Sequence, residues 1–155
     1  MRRKGGLELV EAKRRKIEEK KKAQAAREAE VARLCSRLAY LRANADRGDQ
    51  LSSVLNGLYM EMDKLSKKAP ADEVTELALR KVNAVITGCK ELMRGDEFID
   101  SIDVFVAAGE RPEHRDVVLV LSELRQGIDR LERERRRLAD QSRHRGVDED
   151  EEDES

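Results

Sequence analysis

The sequence predicts an all-α fold, an elongated helical hairpin or bundle with coiled-coil seams. Three observations predict it. The stretch QLSSVLNGLYMEMDKL, residues 50–65, places Leu51, Leu55, Leu58, Met62 and Leu65 at steps of four, three, four and three. On a helix those steps draw one narrow apolar line. Charged residues make up 42% of the chain, which calls for long solvated faces. Aromatic residues make up 3% and tryptophan is absent, so there is little bulk to fill a thick core. A chain of 155 residues has room for one domain. It divides by composition into a basic helical extension (1–30), a coiled-coil or bundle region (31–142) and an acidic, disordered tail (143–155).

The elements follow in order. Gly5 and Gly6 set the first residues apart, and from Leu7 onward Ala, Glu, Lys, Arg and Gln favour a helix. That helix has few large apolar groups before Val31, so it is expected to project from the body. Glu11 with Arg15, and Glu18 with Lys22, support it at one-turn spacing. A seam starts at Val31 and runs through Leu34, Leu38 and Leu41 to Ala45 and Gly48. It weakens at NADRGDQ, whose Asn, Asp and Gly are poor helix-interior residues. The loss of heptad phase there predicts a kink or short break, with the seam resuming at Leu51. Gly57 either admits a neighbouring backbone or is tolerated within the helix.

SKKAPADEV reads as a joint, with Pro70 opening the next helix and Asp72 and Glu73 in its first turn. Val74, Leu77, Ala78, Val82, Val85, Ile86, Cys89, Leu92 and Met93 form a stripe wide enough for two neighbours. Gly95 ends that helix. Asp96 caps a short one carrying Phe98, Ile99, Ile102, Phe105 and Val106, closed by Gly109. Pro112 opens the last long helix, whose seam is Val117, Leu121, Leu124, Ile128, Leu131 and Leu138, with Arg135 where an apolar group would belong.

The seam residues Leu34, Leu38, Leu41, Leu51, Leu55, Leu58, Met62, Leu65, Val74, Val82, Val85 and Ile86 are the expected partner-helix interface. Burying each large side chain contributes roughly 1.5–3 kcal/mol gross. Ordering the backbone costs roughly 1–2 kcal/mol per residue. A single-file stripe therefore cannot hold its helix alone. Other helical subunits or a second copy are the expected partners; the alternative is a self-contained bundle.

No GxxxxGK[ST] or GxGxxG motif is present, and Cys35 and Cys89 lack metal-ligand spacing, so no enzyme, metal or cofactor is expected. His114 and His144 stand apart in charged neighbourhoods and read as solvated. Tyr40 and Tyr59 are expected at the seam edge with their hydroxyls in water. The cysteines suit a reducing compartment, each as a small buried hydrophobe. No apolar run reaches the roughly 20 residues that cross a bilayer, and no apolar segment follows Arg2, Arg3 and Lys4. A soluble protein of the cytoplasm or nucleus is expected.

Charge is segregated along the chain. Lys13, Arg14, Arg15, Lys16, Lys20, Lys21 and Lys22 form a basic head that fits nucleic acid, an acidic protein tail or a nuclear import receptor. Glu8, Glu11, Glu18 and Glu19 dilute it, and a solvated helix of mixed charge is the plainer reading. The paucity of aromatics argues against stacking on single strands. The terminal DEDEEDES reads as a solubilising tail.

Residues 50–93, through QLSSVLNGLYMEMDKL and ADEVTELALRKVNAVITGCKEL, resemble the small two-helix Dad-type subunit of the fungal DASH complex. The resemblance implies a structural subunit of a ring-forming kinetochore assembly on microtubules. It also implies intersubunit packing of Leu51, Leu55, Leu58, Val74, Val82, Val85 and Ile86. The family's tryptophan near Lys81–Asn83 is missing here. The sequence thus reads as a noncatalytic structural or adaptor subunit, or alternatively as a polyanion-binding protein using its basic head.

Overall fold

The structure, a computed structural model, describes residues 4–105 and 111–151, with side chains over 9–105 and 111–144. It is all-α: the described residues form α1 (Lys4–Ala43), α2 (Ala45–Lys68), α3 (Glu76–Leu92), α4 (Glu97–Asp100) and α5 (His114–Glu151). The chain divides into two units, Met1–Ala39 and Tyr40–Ser155, so the division falls inside α1 rather than near residue 30.

The first unit is helical from Lys4, so Gly5 and Gly6 lie within α1 rather than before it. From Leu9 to Arg33 its side chains are exposed, Leu34 is half-buried and Leu38 is buried.

The second unit is a three-helix bundle of α2, α3 and α5. Asn44 is the single turn residue between α1 and α2, within the stretch where the seam loses phase. The α2 helix lies antiparallel to α5, and this is the most extensive packing in the unit. It is antiparallel to α3 as well. Leu55, Leu58 and Met62 of α2 are buried in one core with Val82, Val85, Ile86, Cys89 and Leu92 of α3 and with Val117, Leu121, Leu124 and Ile128 of α5. Two glycines permit the close approach. A Cβ on Gly88 would come within 2.8 Å of Leu51 Cδ2, and one on Gly127 within 2.8 Å of Ile99 Cδ1 and 3.1 Å of Met93 Sδ. Gly57 faces open space, so it serves no such approach.

The α3 helix starts later than Pro70 implies. Residues 72–74 are extended because they pair with the chain entering α5: Val74 N–H donates to Pro112 O at 2.9 Å and His114 N–H donates to Asp72 O at 3.0 Å. Thr75 is the true N-cap, its hydroxyl accepting from Ala78 N at 3.3 Å. Val74 is therefore buried outside the helix. The register set by Thr75 buries Leu79 and turns Leu77 outward, at 65% exposure. Gly95 ends the α3 segment with φ +92°, in the left-handed region that favours glycine.

Asp96 caps α4, accepting from Phe98 N at 3.1 Å and Ile99 N at 3.2 Å. This helix is only one turn long, and Ile102 and Phe105 lie beyond it; Val106 and Gly109 are outside the described residues. The reason is competition from α3 side chains. Asn83 clasps Phe105, donating to its carbonyl at 2.8 Å and accepting from its amide at 2.9 Å. Lys90 Nζ donates to Ile102 O at 2.7 Å. As far as Phe105 the chain thus runs back along α3, with α3 side chains meeting its backbone at Ile102 and Phe105. Phe98 is half exposed, 5.8 Å beneath the Arg130 guanidinium.

His114 is not a solvated histidine. It is 8% exposed, and its Nδ1 lies 2.9 Å from Ala69 O, a contact that requires the proton on Nδ1. Together with the isolated antiparallel bridge between Glu73 and Glu113, it fastens the α2–α3 joint to the start of α5. The α5 helix continues to Glu151, across the start of the segment read as a disordered tail; residues 152–155 lie outside those described.

Two predictions follow from this packing. Gly57→Ala adds helix propensity in open space and should raise stability by about 0.5–1 kcal/mol. Gly127→Ala forces Ile99 and Met93 aside and should lower it by up to about 2 kcal/mol, overpacking outweighing propensity. Urea midpoints check both, and a shift of the same sign in the two variants contradicts this packing.

Asp96 supplies a pH dependence. Burial opposes its ionisation, but the Ile99 amide, the Arg130 guanidinium at 3.3 Å and the Phe98 amide together hold its carboxyl below the usual range. The folded state therefore favours the charged form. That stability is present above the ordinary carboxylate value of about 3.9 and is lost as pH falls through the depressed folded value. In urea melts between neutral and acid pH, Asp96→Asn should flatten the acid limb; an unchanged limb contradicts the assignment.

Candidate functional site

Most of the seam expected to await a partner is already covered. Leu55, Leu58, Met62, Val74, Val82, Val85 and Ile86 are buried among helices of the same unit. Six of the residues for which the DASH resemblance implies intersubunit packing, Leu55, Leu58, Val74, Val82, Val85 and Ile86, pack within this chain. The physical reason is that α3 and α5 lie on two sides of α2, so a stripe too narrow to stabilise one helix is shared among three. Leu41 is buried too, and it lines a cavity of about 20 Å³ with Gly48, Ile128, Leu131 and Arg135. Leu51 remains half-buried and Leu65 is 37% exposed.

A groove of about 420 Å³ stays open between α2 and α3 of the second unit. Leu51, Val54, Ala84 and Val85 make its apolar lining; Arg47, Gln50 and Lys81 complete it. Val54 is 54% exposed, a β-branched apolar residue that the bundle leaves to solvent. Arg47 of α2 is ion-paired with Glu91 of α3 at one end of the groove. Lys81 has no ion-pair partner among the described residues. Leu77 precedes Lys81 by one turn and so prolongs the same face of α3.

The basic head lies in the first unit, on α1. Lys13, Arg14, Arg15, Lys16, Lys20, Lys21 and Lys22 are all exposed. At 100° per residue, Lys16, Lys20, Lys13, Lys21 and Arg14 share an arc of roughly 160°. Glu11, Glu18 and Glu19 fall on the other side, together with Arg15 and Lys22. Lys22 is paired there with Glu18 at 3.8 Å. The glutamates therefore do not dilute the patch; the helix sorts them away from it. Ile17 and Val10 lie within the basic arc and are exposed.

No protein-family model, curated protein or solved structure matches this chain.

The remaining chemistry-bearing side chains are accounted for by packing. Tyr40 does not leave its hydroxyl in water: it donates to Leu92 O at 2.9 Å, satisfying a carbonyl at the end of α3. The Tyr59 ring lies 4.3 Å from the Arg125 guanidinium, which also donates to Asn56 Oδ1 at 2.7 Å and so ties α5 to α2. Both cysteines are free thiols; Cys35 is exposed, unlike the buried hydrophobe expected, while burial pushes the Cys89 thiol up to about 11. Cys89 is therefore protonated at neutral pH and a poor nucleophile. Among the described residues no group of three or more His, Cys, Asp and Glu is placed to hold a metal ion. Nor is any helix long and apolar enough to cross a membrane.

Sequence reasoning missed Val54 because it sits one residue off the seam. The sorting of charge on α1 shows around the helix and not along the chain. That signal was present in the residue numbers.

Proposed function

We propose that this chain is a noncatalytic adaptor that assembles by helix-on-helix packing, with the α2–α3 groove as its docking face. The supporting observation is Val54, exposed above Leu51, Ala84 and Val85 once the core has closed without it. The occupant is an amphipathic partner helix whose apolar stripe is flanked by acidic residues. The apolar stripe matches Val54 and Leu51, and the acidic flank matches Lys81. A place in a kinetochore assembly, which the DASH resemblance implies, is one instance of this reading.

A second reading has its own observation. Five cations of α1 with no ion-pair partner among the described residues, Lys13, Arg14, Lys16, Lys20 and Lys21, share one arc, which favours contact with a polyanion. The two readings use different units of the chain and are compatible.

The docking reading is tested by a photo-crosslinking residue in place of Val54, expressed in the native cell. The expected result is one adduct, mapping to an acidic amphipathic helix of another polypeptide and abolished by Ala84→Glu. The same probe at Leu119, exposed on α5, should give no such adduct. An adduct with a second copy of this chain, or equal labelling from both positions, overturns the reading.

A further inference from the structure

We infer that the basic arc of α1 binds double-stranded B-form DNA through its phosphates, without reading base sequence. This rests on the second reading above, that α1 contacts a polyanion, and names the polyanion.

The arc holds five cations, Lys13, Arg14, Lys16, Lys20 and Lys21, none with an ion-pair partner among the described residues. They lie within roughly 12 Å along the helix axis, at 1.5 Å per residue. That density of positive charge matches the phosphate rows of a duplex. An α-helix with side chains is about 10–12 Å across, and the B-DNA major groove is about 12 Å wide. A helix seated there places an arc of roughly 160° against the two backbones, while Glu11, Glu18 and Glu19 face away.

Other polyanions fit less well. Residues 9–39 contain no Phe, Tyr or Trp, so the basic arc has no neighbouring platform for stacking unpaired bases. The deep, narrow major groove of A-form RNA does not admit a helix. An anionic membrane calls for an apolar face that enters the lipid and a cationic face at the headgroups. In α1 the apolar Val10 and Ile17 are interleaved with the lysines, and the opposite face carries glutamates that anionic lipid repels.

Binding is then electrostatic and steeply salt-dependent. Five phosphate contacts give a slope of log K against log salt of about −4 to −5. The test uses the full chain, fluorescence anisotropy with a random-sequence DNA duplex, and two charge reversals. Lys16→Glu with Lys20→Glu alters the arc; Arg15→Glu with Lys22→Glu alters the glutamate side by the same change in net charge. All four positions are exposed, so both variants should keep the circular dichroism of the parent. The first should lose at least about tenfold in duplex affinity and the second less than about threefold, the difference arising from which face meets phosphate.

Parallel titrations use single-stranded DNA, heparin and vesicles containing phosphatidylserine. Tighter binding to duplex than to single strands or vesicles, lost only on the arc reversal, supports the inference. Equal loss from both reversals overturns it, because net charge then suffices. Binding to heparin or vesicles without duplex binding overturns the choice of DNA and leaves the polyanion reading standing. No binding to any of the four removes both.

Discussion

The structure of the second unit depends on sharing one narrow stripe among three helices. Leu55, Leu58 and Met62 occupy a single line on α2, and no single neighbour can cover them fully. Both α3 and α5 do so together. This sharing sets the other features. It draws α3 close enough that a Cβ at position 88 would displace the end of Leu51, and α5 close enough that one at 127 would displace the ends of Ile99 and Met93. It also makes α3 and α5 parallel neighbours, so the connection between them must travel back along the bundle.

That return is where side chains take over from regular structure. A backbone segment packed on a core needs its amides and carbonyls satisfied. Asn83 and Lys90 provide those bonds from α3, and the connection gives up helix beyond Asp100 in exchange. At the other end, His114 and the pairing of 72–74 with 112–114 fasten the joint. Arg47 with Glu91, Arg125 with Asn56, and Arg130 with Asp96 span the helices at the surface. The two exposed ion pairs contribute little each, at most about 1 kcal/mol, and the stability lies with the buried stripe.

Periodicity made the helices legible, and turn chemistry made some of their ends legible. Asn44, Gly95 and Asp96 sit where local rules place a break, a stop and a cap. The remaining features depend on residues distant in sequence. The partner of Asn83 is 22 residues away and that of His114 is 45 away, so neither neighbourhood announces its role. Thr75 was overshadowed by Pro70, because the pairing that keeps 72–74 extended is itself long-range. The groove between α2 and α3 was illegible for the same reason: which apolar residues remain outside is known only once the core has closed. The basic arc of α1 is different. It is a property of one uninterrupted helix and needs only the angle per residue.

The central claim is that the bundle closes its own core. Amide hydrogen exchange on the full chain, at a high and a low protein concentration, tests it most directly. The account predicts that the core amides of α2, α3 and α5 as far as Leu138 exchange slowest and together, with protection unchanged by dilution. Protection of α2 that disappears on dilution would show that a second copy completes the core and would contradict the account.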